Sequence, residues 1–330
     1  MNDKNIFMIG TKHQYHQVEM AISHFNLDKK DIYLLVEDLG FEKTFHDDLR
    51  NKSFGEVIIF KSWIFKDLIY NPEISNNFIT ICKEIALRFK SLNLYTSHYD
   101  SDFNLLANSI LKPKKIFLMD EGTASFETVL ARRKNRDKKF TLFIKSFLYK
   151  IPIFLPSKIT YFTKYNLKTN LPDNIKLYRD TMINNSIVPL NKDVVVFLGS
   201  SVVEVGMIKK NSYFDILKRI SSDYKNKKIH YYPHRKESLN KLKDLEDLGF
   251  KIIKNEQPFE ILFLSFNNMP HKITSIYISC VLDNISKRYK NIPELILYKF
   301  DDIVLLKQRD VYRDIYNHFK KNKSLTIKEI

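Results

Sequence analysis

Short runs of branched and aromatic residues alternate along this chain with stretches of helical periodicity, and that alternation constrains the fold more than any other feature. Asn5-Ile6-Phe7-Met8-Ile9-Gly10, Asp31-Ile32-Tyr33-Leu34-Leu35-Val36, Glu56-Val57-Ile58-Ile59-Phe60, Asn93-Leu94-Tyr95 and Lys115-Ile116-Phe117-Leu118-Met119 read as strands. Helical runs lie between several of them, through Val18-Glu19-Met20-Ala21-Ile22, from Asn77 to Ser91 and from Asp102 to Leu111. Strands separated by helices imply a mainly parallel sheet, whose ligands bind at the C-terminal ends of the strands.

A second alternating set begins at Asp193-Val194-Val195-Val196-Phe197-Leu198-Gly199. It continues through a helix from Tyr213 to Tyr224, the strands Lys228-Ile229-His230 and Phe250-Lys251-Ile252-Ile253, a helix from Pro258, and Ser275-Ile276-Tyr277-Ile278 before another helix. A chain of 330 residues is long enough for two cores. The expectation is an α/β protein of GT-B type: two Rossmann-like domains, residues 1–185 and 186–305, with the active site in the cleft between them. The linker is expected near residues 170–192, where Asn, Asp and Pro collect, and a helix within 306–330 is expected to pack back on the first domain.

Composition narrows the functional classes. A hydrophobic content of 44% excludes a disordered chain. No run of about 18 apolar residues is present, and Met1-Asn2-Asp3-Lys4-Asn5 carries no signal-peptide pattern, so the expected location is the cytoplasm. Cys82 and Cys280 stand far apart in apolar contexts and read as reduced thiols; their spacing builds no metal site. The net charge of +16 is concentrated between Arg132 and Lys168, where eleven basic residues face a single acid, Asp137. Phe140, Phe143, Phe147, Phe154 and other apolar residues interleave with them, a mixture that suits peripheral contact with an anionic membrane, at the inner face of the cell membrane. The competing reading is a solvated basic face over an ordinary core helix. No nucleic-acid-binding motif accompanies the charge, and nucleic acid is not expected as a partner.

Chemistry-bearing residues cluster at strand ends. The strand ending at Met119 runs directly into Asp120-Glu121-Gly122, two adjacent carboxylates before a glycine that permits a sharp turn. Adjacent side chains at a strand end point in different directions, so at most one carboxylate faces a ligand, as a candidate general base, and the competing reading is a common Asp-Glu-Gly turn. In the second unit Tyr231-Tyr232-Pro233-His234-Arg235-Lys236-Glu237 sets an imidazole beside a guanidinium after a strand. Glu260 then opens one helix, and Ser279-Cys280 opens the next, where backbone N–H groups and a hydroxyl suit a phosphate. Gly199-Ser200-Ser201 after the first strand of this unit reads equally as a nucleotide-lining turn or a plain one. Asp100-Ser101-Asp102 has the spacing of a metal-diphosphate motif but opens a helix, and no metal is expected.

With Asp120-Glu121-Gly122, His234 and Ser279 in this order, the chain resembles the bacterial sialyltransferases of GT-B fold, nearest to the lipooligosaccharide sialyltransferases of glycosyltransferase family 52 and their polysialyltransferase relatives. Gly10-Thr11-Lys12-His13-Gln14 is similar to that family's Thr-x-x-Gln segment, so the likeness spans residues 6 to about 285. The resemblance implies an inverting, metal-independent transfer of sialic acid from CMP-sialic acid to a hydroxyl of a capsule or lipooligosaccharide, on a galactose- or sialic-acid-terminated acceptor. It makes Asp120 the general base, with Glu121 the competing assignment, and has His234 hold the CMP phosphate as acid or electrostatic stabiliser. Glu260 would bind the cytidine portion and Ser279 the phosphate, with Thr11, Gln14, Gly122, Gly199 and Ser200 lining the substrates. Arg235 stands where the family has proline, and Cys280 where it usually has a second hydroxyl, so phosphate binding would lean on Ser279, backbone N–H groups and Arg235. The alternatives are a GT-B enzyme using another activated sugar, such as CMP-Kdo or a nucleoside diphosphate sugar, and a non-enzymatic membrane-associated glycan-assembly protein.

Three further histidines are read as structural or solvated. His13 is expected in a loop, His98 follows a strand as a satisfied structural residue, and His271, after Pro270, is the main rival of His234 and is expected in a loop.

Overall fold

The computed structural model describes residues 3–38, 43–63, 67, 72–120, 122–134, 139–169, 171–179, 185–254, 257, 259–277 and 280–330. Glu121, Pro258 and Ser279 therefore lie outside the described residues. The chain divides into two compact units, Met1–Arg179 and Asp180–Ile330.

The first unit runs β1 (Lys4–Ile9), α1 (Lys12–Phe25), β2 (Ile32–Asp38), α2 (Lys43–Arg50), β3 (Glu56–Lys61), α3 (Asn76–Arg88), β4 (Leu92–Thr96), α4 (Asp102–Leu111), β5 (Lys115–Met119), α5 (Ala124–Lys134), α6 (Lys139–Tyr149), β6 (Thr160–Thr163) and β7 (Asn174–Leu177). Its seven strands pair in parallel in the order β3-β2-β1-β4-β5-β6-β7. Strands buried on both faces need continuous apolar sequence, and β1 and β2 have it. Register is set by an aromatic ladder. Phe7 sits opposite Tyr95 and Tyr95 opposite Phe117, with ring centroids 4.1 and 4.5 Å apart and planes within 13° and 7°. A one-residue slip would send these rings to the other face of the sheet.

The second unit runs β8 (Leu190–Leu198), α7 (Lys210–Ser222), β9 (Lys228–Tyr232), α8 (Leu239–Asp247), β10 (Lys251–Ile252), α9 (Phe259–Leu264), β11 (Met269–Ile276), α10 (Cys280–Arg288), β12 (Glu294–Lys299), α11 (Arg309–Phe319) and β13 (Thr326–Glu329). Its sheet is also parallel, in the order β10-β9-β8-β11-β12-β13. Phe197 and Tyr231 repeat the ladder across β8 and β9, 5.4 Å apart and 9° from parallel.

Two sequence expectations change here, for the linker and the basic segment, and the C-terminal helix has contacts within the second unit. The region assigned to a linker contains β7, an edge strand whose exposed Asn174, Lys176 and Leu177 leave no apolar run to read. The C-terminal helix, expected on the first domain, buries Val311, Tyr312, Ile315, Tyr316 and Phe319. Its polar ring atoms are satisfied within the second unit: Tyr312 Oη donates to Phe300 O at 2.6 Å and Tyr316 Oη to Tyr298 O at 2.6 Å. The chain then adds β13 beside β12. The basic segment 132–168 is not one surface. Arg132 is buried in a two-pronged pair with Asp173, Nε at 2.9 Å and Nη2 at 2.7 Å, Lys145 pairs with Asp102 at 2.5 Å, and residues 160–163 are a buried strand.

Candidate active site

In the second sheet β8 is flanked by β9 on one side and β11 on the other, so the loops after β8 and β11 leave in opposite directions. Sheets of this kind usually bind their ligands at such a divergence, outside the C-terminal ends of the strands. Gly199 and Ser200 follow β8, His234 and Arg235 follow β9, and Cys280 is the first residue of α10 after β11. The sequence reading placed these residues at strand ends, and the fold does so.

The His234 loop is held from beneath. Glu237 Oε1 accepts the His234 N–H at 2.7 Å, and Glu237 Oε2 accepts the Tyr231 hydroxyl at 2.7 Å. Lys241, its side chain 2% exposed, reaches Glu237 Oε2 at 3.0 Å, Glu204 Oε2 at 3.3 Å and the Ser200 carbonyl at 2.8 Å, and its ammonium lies 4.0 Å from the centre of the Tyr213 ring. One buried lysine thus ties the turn after β8 to the turn after β9. Gly199 is required by this packing: a Cβ there would collide with Glu237 Oε1 and stand 2.7 Å from Tyr231 Oη. The Gly199 N–H donates to Tyr232 O at 2.8 Å, closing the two strand ends together. Burial raises the Glu237 carboxyl pKa against the opposing effects of Lys241, Tyr231 and the His234 N–H.

The same loop sets the protonation of His234. The residue is exposed, yet desolvation of its ring, with Arg235, Lys236 and Lys241 nearby, holds its pKa below the usual 6.5. The shift favours the uncharged ring, in which Nδ1 accepts the Lys236 N–H at 3.2 Å. The proton therefore sits on Nε2, which is left as a donor. Arg235 is exposed beside it. Glu260, second residue of α9, accepts from Asn284 Nδ2 of α10 at 2.9 Å, so one of its oxygens already holds the two helices together.

In the first unit Asp120 follows β5 and is 2% exposed. Both oxygens are occupied: Oδ1 accepts from Ser125 Oγ at 2.6 Å, while Oδ2 accepts from the Lys164 N–H at 2.8 Å and lies 3.0 Å from the Tyr178 hydroxyl, which also stands 3.1 Å from Gln17 Oε1. Burial raises its pKa despite these bonds and a further one from Thr163. Asp120 thereby ties the ends of β5, β6 and β7 to α1. Gly122 adopts φ +63°, the left-handed conformation that glycine takes without strain.

Thr11 caps the start of α1, and Gln14 holds the residue before the cap. Thr11 Oγ1 accepts the Gln14 N–H at 3.3 Å, and Gln14 Oε1 reaches back to the Gly10 N–H at 2.6 Å. The Thr-x-x-Gln residues thus have a role in helix initiation. Thr11→Ala is expected to lower stability by about 1 kcal/mol in urea melts; an unchanged midpoint would return Thr11 to the ligand-binding residues.

His13 is exposed on α1 and not in a loop. His98 is exposed after β4, its carbonyl accepting from Asn104 Nδ2. His271, expected in a loop, lies within β11 at an irregularity in its pairing with β8 and toward the N-terminal end of that strand, opposite to His234. The register shift there, between Pro270 and Lys272, interrupts the regular pairing of the strand. Glu204, Glu237, Lys241 and Tyr178 were not singled out in the sequence. The i, i+4 spacing of Glu237 and Lys241 was a readable pair, but their burial was not.

The chain matches no protein-family model, and a search of curated proteins by sequence finds no match. Solved structures share its fold. The UDP-GlcNAc 2-epimerase from Methanocaldococcus jannaschii superposes with a TM-score of 0.55 at 13% identity, over 99% of this chain and 89% of that one. Anabaena Alr3699/HepE, in complex with UDP and glucose, gives 0.53 at 9% identity over 90% and 81%. The Thermobaculum terrenum O-GlcNAc transferase gives 0.50 at 7% identity, covering 98% of this chain and 57% of that one. Two parallel-sheet Rossmann-like domains of GT-B type are therefore the fold of this chain, and likeness at such identities speaks to fold alone.

Proposed function

We propose that the protein is an inverting, metal-independent sialyltransferase that moves sialic acid from CMP-sialic acid to a hydroxyl of a bacterial surface glycan. The observation that carries the reading is the His234 loop: a neutral imidazole with its proton fixed on Nε2, held at the C-terminal strand ends of the second sheet by a buried Glu237–Lys241 scaffold. A departing CMP carries a phosphate whose second pKa is about 6, so it leaves without being protonated and needs stabilisation by donors. A neutral Nε2–H beside the Arg235 guanidinium supplies that, which favours the stabiliser role of His234 over the acid role. Ser279 and the start of α10 would add phosphate donors, and Glu260 the contact to cytidine, as the family resemblance implies.

For the acceptor, the occupied oxygens of Asp120 favour the competing assignment: Asp120 shapes the turn after β5 and Glu121 takes the proton. Transfer then forms the bond from the acceptor oxygen to the anomeric carbon of sialic acid as the bond to the CMP phosphate breaks. The acceptor proton goes to Glu121 and the electron pair to the phosphate.

A second reading keeps the site and changes the donor. Two structures of this fold, the M. jannaschii epimerase with UDP-GlcNAc and UDP, and HepE with UDP and glucose, hold uridine nucleotides, which supports a UDP-sugar as the alternative. The test is nucleotide release from CMP-sialic acid, CMP-Kdo and UDP-sugars, with and without galactose- and sialic-acid-terminated acceptors. CMP release from CMP-sialic acid above background, raised by an acceptor, is the expected result. Release from a UDP-sugar alone would replace the first reading with the second.

A further inference from the structure

We propose that the outer face of α6, with the lysine groove reached by the chain that follows it, docks the protein on an anionic lipid bilayer. Phe140, Phe143 and Phe147 recur at helical spacing along α6 and are 75, 70 and 77% exposed. Among the described residues no other helix holds three large apolar side chains so far into solvent. The inner face of α6 is already engaged. Tyr149 is buried, with its hydroxyl donating to Asp102 Oδ2 at 2.6 Å, Leu142 packs on the same core cluster, and Lys145 pairs with Asp102. The helix is therefore anchored by one side and presents the three rings on the other.

Beyond Tyr149 the chain runs beside α4, where Asn108 Nδ2 donates to Phe154 O at 3.3 Å. Phe154, itself 49% exposed, borders a groove of about 910 Å³ at the N-terminal ends of β5, β6 and β7. Five exposed lysines line it, Lys112, Lys114, Lys115, Lys158 and Lys176, and no carboxylate does among the described lining residues. Lys114 pairs with Asp3 at 3.4 Å. Interfacial binding needs apolar side chains that enter the headgroup boundary and cations that meet acidic headgroups, and these two features supply one each. A polyanion without an apolar phase would engage the lysines and leave the phenylalanines in water. The groove lies at the opposite end of the strands from Asp120, so docking there leaves the candidate active-site edge uncovered.

The experiment is co-sedimentation of the full chain with vesicles of phosphatidylcholine, alone or doped with phosphatidylglycerol, at low and high salt. The expected result is binding to the phosphatidylglycerol vesicles that weakens as salt rises. Phe140→Ser with Phe143→Ser and Phe147→Ser should lower the partition coefficient by about tenfold for each ring. Lys112→Glu with Lys158→Glu and Lys176→Glu should remove the preference for acidic lipid, about fivefold for each lysine. All six side chains are exposed, so circular dichroism and melting should match the parent chain. Binding by the phenylalanine variant equal to the parent's would overturn the proposal, as would a parent chain that stays in the supernatant with both vesicles. So would sedimentation equilibrium showing a dimer that the phenylalanine substitutions dissociate without any vesicle binding, which would assign the face to a second copy of the chain.

Discussion

Glu121→Gln is expected to lower CMP release from CMP-sialic acid by about 10²-fold or more, and His234→Ala to cause a loss of similar size. The contrast with Asp120→Asn makes the result diagnostic. Asp120 accepts hydrogen bonds at both oxygens from Ser125 and the Lys164 backbone, with Tyr178 alongside, and is 2% exposed. An amide in its place presents a donor to at least one of these donors, so Asp120→Asn should cost about 1–3 kcal/mol of stability. If Asp120→Asn abolished turnover with an unchanged urea midpoint while Glu121→Gln turned over normally, the base would be Asp120. For His234, conversion to Gln tests the donor role, because its amide N–H reaches the place of a neutral Nε2–H but cannot act as an acid there. Partial recovery relative to His234→Ala is expected.

Lys241→Met should destabilise the second unit by about 3–5 kcal/mol, because it strands a buried carboxylate. Glu237 has a side chain that is 0% exposed, and Lys241 is its cationic partner at 3.0 Å. The loss should depend on pH with a definite sign. Glu237 already has a pKa raised above the usual 4.5 by burial, with Lys241 the largest opposing influence. Without Lys241 it rises further, so the native state of the variant takes up a proton that the unfolded chain releases at the usual value. The variant's deficit should then be small below the unfolded pKa and grow as pH rises through the elevated folded one. Urea melts of parent and variant at acidic and neutral pH measure this, and an equal deficit at both would refute the carboxylate explanation. Lys241→Met combined with Glu237→Gln should recover part of the stability, since the buried Glu237 charge is gone while an amide oxygen remains to accept the His234 N–H. Even folded, Lys241→Met should weaken donor binding, because the turns after β8 and β9 lose their common tether.

Local sequence was informative wherever a single element carried its own signal. Helix α4 occupies Asp102–Leu111, the range its periodicity predicts. Strands β1, β2, β3 and β5 were visible as apolar runs because parallel strands are covered on both faces. Strands β7 and β13 were not, since each has exposed positions at a sheet edge and so lacks an uninterrupted apolar run. The pairing of Arg132 with Asp173 was equally hidden: the two are far apart in sequence, and Arg132 read as one more cation in a basic stretch.

By itself the sequence determined the tandem α/β architecture and the strand ends that carry Asp120, His234 and Gly199, because hydrophobic periodicity and turn residues are local properties. Which side chains are free to act there was decided only in three dimensions. Folding brought Tyr178 and Lys164 onto Asp120, and Lys241 and Glu237 beneath His234. Burial and proton position depend on neighbours distant in sequence: they made one of two adjacent carboxylates a structural tie, favoured a neutral His234 with its proton on Nε2, and set the phenylalanines of α6 outward.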